Sequence, residues 1–378
     1  MSAALSDMEV SEGVALIRPT TAKFLSCFEI IGLVRDYRAL RSILDKDRAV
    51  KKTAIFWIIL GGLLSSPSWG ADAFESFKIP TEFTLPTRVA IDKADTVWFI
   101  ESNLNKIGSF QPAKGIFSEH AIPTPKSAPT DITISNTGQV WFTESDSNQL
   151  GVLDPVSLTF KEYDIPTIAS NPGRITSDLH GNIWFTEFYG NKIGMFDPRK
   201  EVFREYPVPT PASRPSGIVV DKKGIVWFLE TEGNKLARLN PKDGAIREFD
   251  LPKAHETPRD IVIDRSGALW FGGHIGRNLM TFNPVTKKFK TFLMQGSSVI
   301  EGLTVGIDGK IFSTLLTSGR IAVFDPATSA FMEFDVGVGK SKPNGIGTDS
   351  RGDIWFVDMG KNVLIKLDAR MVVKTWMK

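Results

Sequence analysis

Seven copies of one short pattern, almost evenly spaced, constrain this chain more than any other feature. The strings Val97–Phe99 (VWF), Val140–Phe142 (VWF), Ile183–Phe185 (IWF), Val226–Phe228 (VWF), Leu269–Phe271 (LWF), Ile311–Ser313 (IFS) and Ile354–Phe356 (IWF) set an aromatic residue at 98, 141, 184, 227, 270, 312 and 355. Every step is 43 residues except one of 42. Repeats of this length are supersecondary units that bury their apolar faces on one another. Seven of them fill residues 74–378 and leave no room there for a second domain.

Each unit reads as four strands. The first alternates and is rich in β-branched residues, as in Pro215–Asp221. A turn follows with Gly at 138, 181, 224, 267, 309 and 352, where a positive φ is expected. The second strand carries the aromatic residue. The third is like Asn191–Phe196 and closes on Asp-Pro or Asn-Pro, and the fourth, like Phe203–Pro209, alternates as an exposed edge does. Four-stranded antiparallel units about 40 residues apart specify an all-β, seven-bladed β-propeller. Ring closure needs a strand that joins the two ends, and Glu75–Leu85 and Met371–Lys378 compete for that place. The recurring Trp residues are expected between neighbouring blades.

The preceding segment has a different character. Lys51 and Lys52 lead into the apolar run Thr53–Leu64, and small residues follow at Ala71 and Ala73. This is the order of a secretory signal peptide over 50–73, cleaved after Ala73. A run of twelve is short for a bilayer about 30 Å thick, so no stable span is expected after cleavage; a buried helix or short anchor is the alternative. Residues 1–49 share no pattern with the repeats and read as untranslated or as a disordered extension, with a later start near Val50. Cys27 is the sole cysteine, so a disulfide framework and a thiolate metal cluster are both excluded. The net charge of +2 does not suit a nucleic-acid binder. The reading is an exported, periplasmic or secreted monomer.

Blades three and four show the pattern most fully, in Asn171–Gly194 (NPGRITSDLHGNIWFTEFYGNKIG) and Arg214–Ala237 (RPSGIVVDKKGIVWFLETEGNKLA). Over about residues 75–368 the chain resembles the streptogramin lyase (virginiamycin B lyase) family. NHL-type and gluconolactonase-like propellers are relatives in shape. The resemblance implies a ring-opening elimination, a Mg²⁺ near the channel mouth and a His as general base. It also implies where those groups belong, and this chain departs there. Glu301 stands in place of a His on blade six, Lys342 and Asn344 in place of a Glu and a His on blade seven, Met359 in place of a Glu, and Thr87 in place of a Tyr. Asn344 cannot take a proton as a base, so streptogramin lyase activity is not expected.

The blade openings still bring charge to the axis. Arg88, Asp131, Arg174 and Arg259 are candidates for binding a polar or anionic ligand. Asp260, Glu301, Asn344 and Asp358 are oxygen donors of a kind that suits Mg²⁺ or Ca²⁺, and gluconolactonase-like propellers use similar residue types. Internal pairing among the arginines and carboxylates is the plainer alternative. A second acidic set after the aromatic position (Glu101, Glu144, Glu187, Glu230, Asp358) recurs too often for catalysis and is expected to accept hydrogen bonds from neighbouring loops. Blade five breaks that set with Gly272-Gly273-His274, which makes His274 the candidate base. Two functions follow as expectations: a small polar molecule or protein partner bound at the channel mouth, or a metal-dependent lyase or lactonase-type hydrolase in the same pocket.

Overall fold

The computed structural model describes residues 73–253, 256–275, 277–294, 298–337 and 340–376. The expectations for residues 1–49 and for the signal peptide before residue 73 lie outside these. The described residues hold seven four-stranded antiparallel sheets, the seven-bladed propeller expected from the repeats. Strand β1 is Phe74–Lys78, and blade one is β2 to β5 (Pro86–Ile91, Val97–Glu101, Lys106–Gln111, Ile116–Ala121). Five further blades repeat that order up to β25 (Ala330–Asp335). Blade seven is built from β26 (Pro343–Thr348), β27 (Ile354–Asp358) and β28 (Val363–Leu367), with β1 as its outermost strand. Phe74 lies opposite Leu367 and Lys78 opposite Val363, so the N-terminal segment closes the ring. The competing C-terminal segment forms a helix, α1 (Ala369–Trp376), with Val372 in the blade-seven core.

Blade packing explains the recurring aromatic residue. Trp184 of blade three packs on Val226 and Phe228 of blade four, and Trp355 of blade seven packs on Val97 and Phe99 of blade one. Each buried aromatic removes about 150–250 Å² from water, about 4–6 kcal/mol of hydrophobic transfer as an upper bound. The turn residue Asp takes the indole N–H in five blades, from Trp98 to Asp92 (2.9 Å), Trp184 to Asp178 (3.0 Å), Trp227 to Asp221 (3.2 Å), Trp270 to Asp264 (2.8 Å) and Trp355 to Asp349 (3.0 Å). In blade two Ser135 replaces that Asp, and the buried Trp141 Nε1 has no partner. The turn glycines are left-handed as expected, from Gly224 at 78° to Gly352 at 89°.

Loops are tied to their neighbours by a repeated asparagine. Asn191 Oδ1 accepts from Ser213 N and Oγ at 2.8 and 2.9 Å. Asn362 of blade seven does the same for Thr84 N and Oγ1 at 2.9 and 2.7 Å, which carries the pattern across the closure.

Candidate functional site

The first strand of each blade lines the central channel and starts at its mouth with Pro, or Ile300 in blade six. A β-bulge follows at once: Pro86 faces Glu101 and Val89 faces Phe99, so one residue more lies between the pairs on the inner strand than on its neighbour. The same shift occurs at Pro129, Pro172 and Pro258. Bulges re-aim side chains; here they contain Arg88, Asp131, Arg174 and Asp260, which line one cavity of about 150 Å³ over aliphatic residues such as Ile218, Ile261 and Ile346.

Arg88 crosses that cavity. Its guanidinium is 4.0 Å from Asp131 Oδ1, 3.9 Å from Asp260 Oδ2 and 3.4 Å from Glu301 Oε1, and it also donates to the Glu301 carbonyl at 3.4 Å. Arg174 lies 3.9 Å from the same Asp131 oxygen. Each aspartate also clasps the next blade. Asp131 Oδ2 accepts from Ile175 N at 3.0 Å and Asp260 Oδ2 from Leu303 N at 2.9 Å. Burial pushes the Asp131 carboxyl up to about 6 against the opposing pull of Arg88, and it raises Asp260 as well. Three carboxylates face two guanidinium groups, so this layer carries one excess negative charge when ionised.

The residues read as one ligand-binding set therefore separate. Arg88, Asp131 and Arg174 pair with one another, whereas Arg259 stays exposed at the mouth. The proposed metal donors separate too. Asp260 and Glu301 face Arg88. The Asn344 amide is turned to Gly345 N (2.7 Å) and Met359 Sδ (3.2 Å). Asp358, at the end of β27, turns to the neighbouring loops instead, accepting from Ser341 Oγ (2.5 Å), Lys342 N (2.8 Å), Gly360 N (2.9 Å) and Lys361 N (3.2 Å). With their oxygens committed to N–H and O–H donors, these four do not fit a divalent cation as one shell. No group of three or more His, Cys, Asp or Glu among the described residues is arranged to hold a metal.

Pro258 faces Gly273, which brings Arg259 and His274 to neighbouring positions at the strand ends, and the charges of Arg259 and Glu301 act on the imidazole. Burial and the Arg259 charge hold the His274 imidazole below the usual range, with Glu301 opposing. The imidazole is thus neutral at neutral pH, and its buried Nδ1 has no hydrogen-bond partner. Two neighbours account for the glycines before it: Ile300 packs where a Cβ of Gly272 would be, and Glu256 does so at Gly273. A Cβ at Gly273 would lie 2.4 Å from Glu256 Oε2, so the carboxylate absent from the strand end arrives from the preceding loop. There it accepts from Asn278 Nδ2 at 2.9 and 3.2 Å. The sequence signal for Glu256 is a Glu in the register of Ser127, Ser170 and Ser213, which alternation and motif spacing do not single out.

The second acidic set meets the expectation of loop hydrogen bonds fully only at Asp358. The carboxyls of Glu101, Glu187 and Glu230 are buried with no hydrogen bond of ordinary geometry, and Glu144 has only a long contact from Ser147 at 3.5 Å, although the hydroxyls of Ser127, Ser170 and Ser213 stand close enough to Glu144, Glu187 and Glu230 to pull their carboxyls down a little. Burial pushes all four up to about 7, aided by the nearby Glu119, Glu162, Glu205 and Glu248.

Comparison with known proteins agrees with this architecture. The sequence profile of the Virginiamycin B lyase family matches residues 69–297. No curated protein matches the chain. Among solved structures, a streptogramin B lyase is 27% identical, with a TM-score of 0.74 over 78% of this chain and 97% of that one. The selenomethionine-substituted virginiamycin B lyase of Staphylococcus aureus is 27% identical, with a TM-score of 0.73 over 78% and 98%. A catalytically inactive histidine-to-alanine variant of the Staphylococcus aureus enzyme, solved with quinupristin, is 26% identical with a TM-score of 0.73 over 78% and 98%.

Proposed function

The chain belongs to the virginiamycin B lyase family, and from that premise we propose that it binds a small polar, anionic ligand at the channel mouth, on Arg259, His274 and Glu301. One observation carries this reading: a neutral imidazole with an unpartnered buried nitrogen stands beside an exposed arginine where the blade repeat breaks. The paired layer around Arg88 forms the floor, so Arg88 and Arg174 shape the field rather than contact the ligand. Thr87, Glu301, Asn344 and Met359 still replace the residues that the family resemblance implies, and opening of a streptogramin ring is not part of the proposal.

A second reading is lyase or hydrolase chemistry in the same pocket, with His274 taking a proton from the substrate. The depressed basicity of His274 favours it, because a base must be unprotonated at the working pH. We also propose that the protein acts outside the cytoplasm, on the strength of Lys51, Lys52 and the apolar run Thr53–Leu64.

Thermal unfolding with small hydroxycarboxylates such as citrate and gluconate tests the site. A bound ligand stabilises the folded state by mass action, by about 2.7 kcal/mol at a hundredfold excess over Kd. The reading expects an upward shift for the wild type that Arg259→Gln and His274→Ala remove. A shift that survives both variants contradicts it. A shift produced by Mg²⁺ or Ca²⁺ alone and lost in Glu301→Ala supports the metal-dependent alternative instead.

A further inference from the structure

The outer wall holds two places that the repeat makes equivalent and the sequence makes different. Between blades two and three, Lys161 and Tyr163 of blade two reach Glu201, which sits in the β-turn of blade three. Lys161 forms an ion pair with that carboxylate, and the Tyr163 hydroxyl donates to it at 3.5 Å. One repeat further on, Arg204 takes the place of Lys161 and Tyr206 that of Tyr163, but Gly244 takes the place of Glu201. The carboxylate is missing while the groups that would hold it remain. Arg204 is exposed, with no carboxylate partner among the described residues.

Beside that place, across the Tyr206 ring that a Cβ at Gly244 would touch at 3.7 Å, there is a groove of about 240 Å³. Trp184, Met195 and Tyr206 give it an apolar side, with the Trp184 and Tyr206 rings stacked at 5.9 Å. Arg204, Lys223 and Lys242 give it cations. Asp178 also borders it, but its oxygens already accept from His180 N (2.8 Å), Asn182 N (2.9 Å), Asn182 Nδ2 (2.8 Å) and Trp184 Nε1 (3.0 Å). We infer that this groove between blades three and four binds a small carboxylate with an apolar body, whose anionic end takes the place Glu201 fills one blade earlier. Arg204 pairs with the carboxylate, the Tyr206 hydroxyl donates to it, and the apolar body lies against Met195 and the rings. The site is separate from the channel mouth and stands without it.

The repeat supplies its own control. The turn position that Gly244 occupies is left-handed at 70°, yet Glu201 holds the equivalent place at 56°, so a Glu side chain is tolerated there. Calorimetric titration of the full chain with 3-phenylpropionate, and with its neutral amide, gives the test. The wild type is expected to bind one equivalent of the acid, and the amide at least about tenfold more weakly. Arg204→Gln should weaken the acid by a similar factor. Gly244→Glu should abolish binding by restoring the internal carboxylate, and Glu201→Gly should open a second groove and add a second equivalent. Arg259→Gln should leave the titration unchanged. Equal affinity for acid and amide, unaltered binding in Gly244→Glu, or no binding by the wild type overturns the inference. Loss of binding in Arg259→Gln alone assigns the compound to the channel mouth and overturns it as well.

Discussion

Glu187 shows how one residue can be tolerated at a cost that depends on pH. Its carboxyl is buried with no hydrogen bond of ordinary geometry, and it is pushed up to about 7 from an ordinary 4.5. The native state therefore holds a proton that the unfolded chain gives up, and stability falls as the pH rises from about 4.5 to about 7. Glu187→Gln keeps the shape and removes the titration. It should stabilise the protein at pH 8 by about 1–3 kcal/mol and change little at pH 5, as read by denaturant midpoints at the two values. Trp141 offers a second test. Ser135→Asp should supply the indole acceptor present in five other blades and gain about 1 kcal/mol, seen as a raised midpoint at unchanged slope. The recurrence of the glutamates was legible in the sequence because spacing alone reveals it. How poorly they are hydrogen-bonded was not, since it depends on which way loop hydroxyls point: Ser127, Ser170 and Ser213 give their well-formed bonds to the asparagines.

At the scale of elements, closure rests on β1. Phe77 stacks on Trp355 at 5.6 Å and meets Phe110 of blade one at 4.6 Å, so one strand fastens blade seven to blade one. Thr81, just beyond it, donates from N and Oγ1 to Glu119 at 3.2 and 2.7 Å, as Thr167 does to Glu205 at 3.0 and 2.8 Å. Phe77→Ala should cost about 2–4 kcal/mol, with early loss of cooperativity in blade seven visible by hydrogen exchange. Alternation alone could not choose between the two ends of the chain. The discriminating signal was finer. Phe74, Phe77, Ile79, Pro80 and Thr81 repeat the spacing of Phe160, Tyr163, Ile165, Pro166 and Thr167 in a fourth strand. The C-terminal segment offers no such match and coils into α1.

For the whole molecule, the charged layer joins blades that are distant in sequence. Arg88 on blade one touches blades two, five and six, and the ring is thereby tied across its axis as well as around its rim. Arg88→Met would leave Asp131, Asp260 and Glu301 facing one another. It should cost about 3–5 kcal/mol at pH 7, measured by equilibrium unfolding, and less at pH 5, where Asp131 is protonated in the native state. That these residues meet at the axis follows from the repeat. Which of them pair was not legible, because the bulge after each inner proline decides the aim of each side chain. Above this layer, the account rests on His274 as part of a ligand site with Arg259. Titration of the His274 ring resonances by NMR, with and without citrate, tests it most directly. The account predicts a midpoint below the ordinary 6.5 in the free protein, and a rise when an anion neutralises Arg259. A midpoint at or above 6.5 that no anionic ligand moves would contradict it.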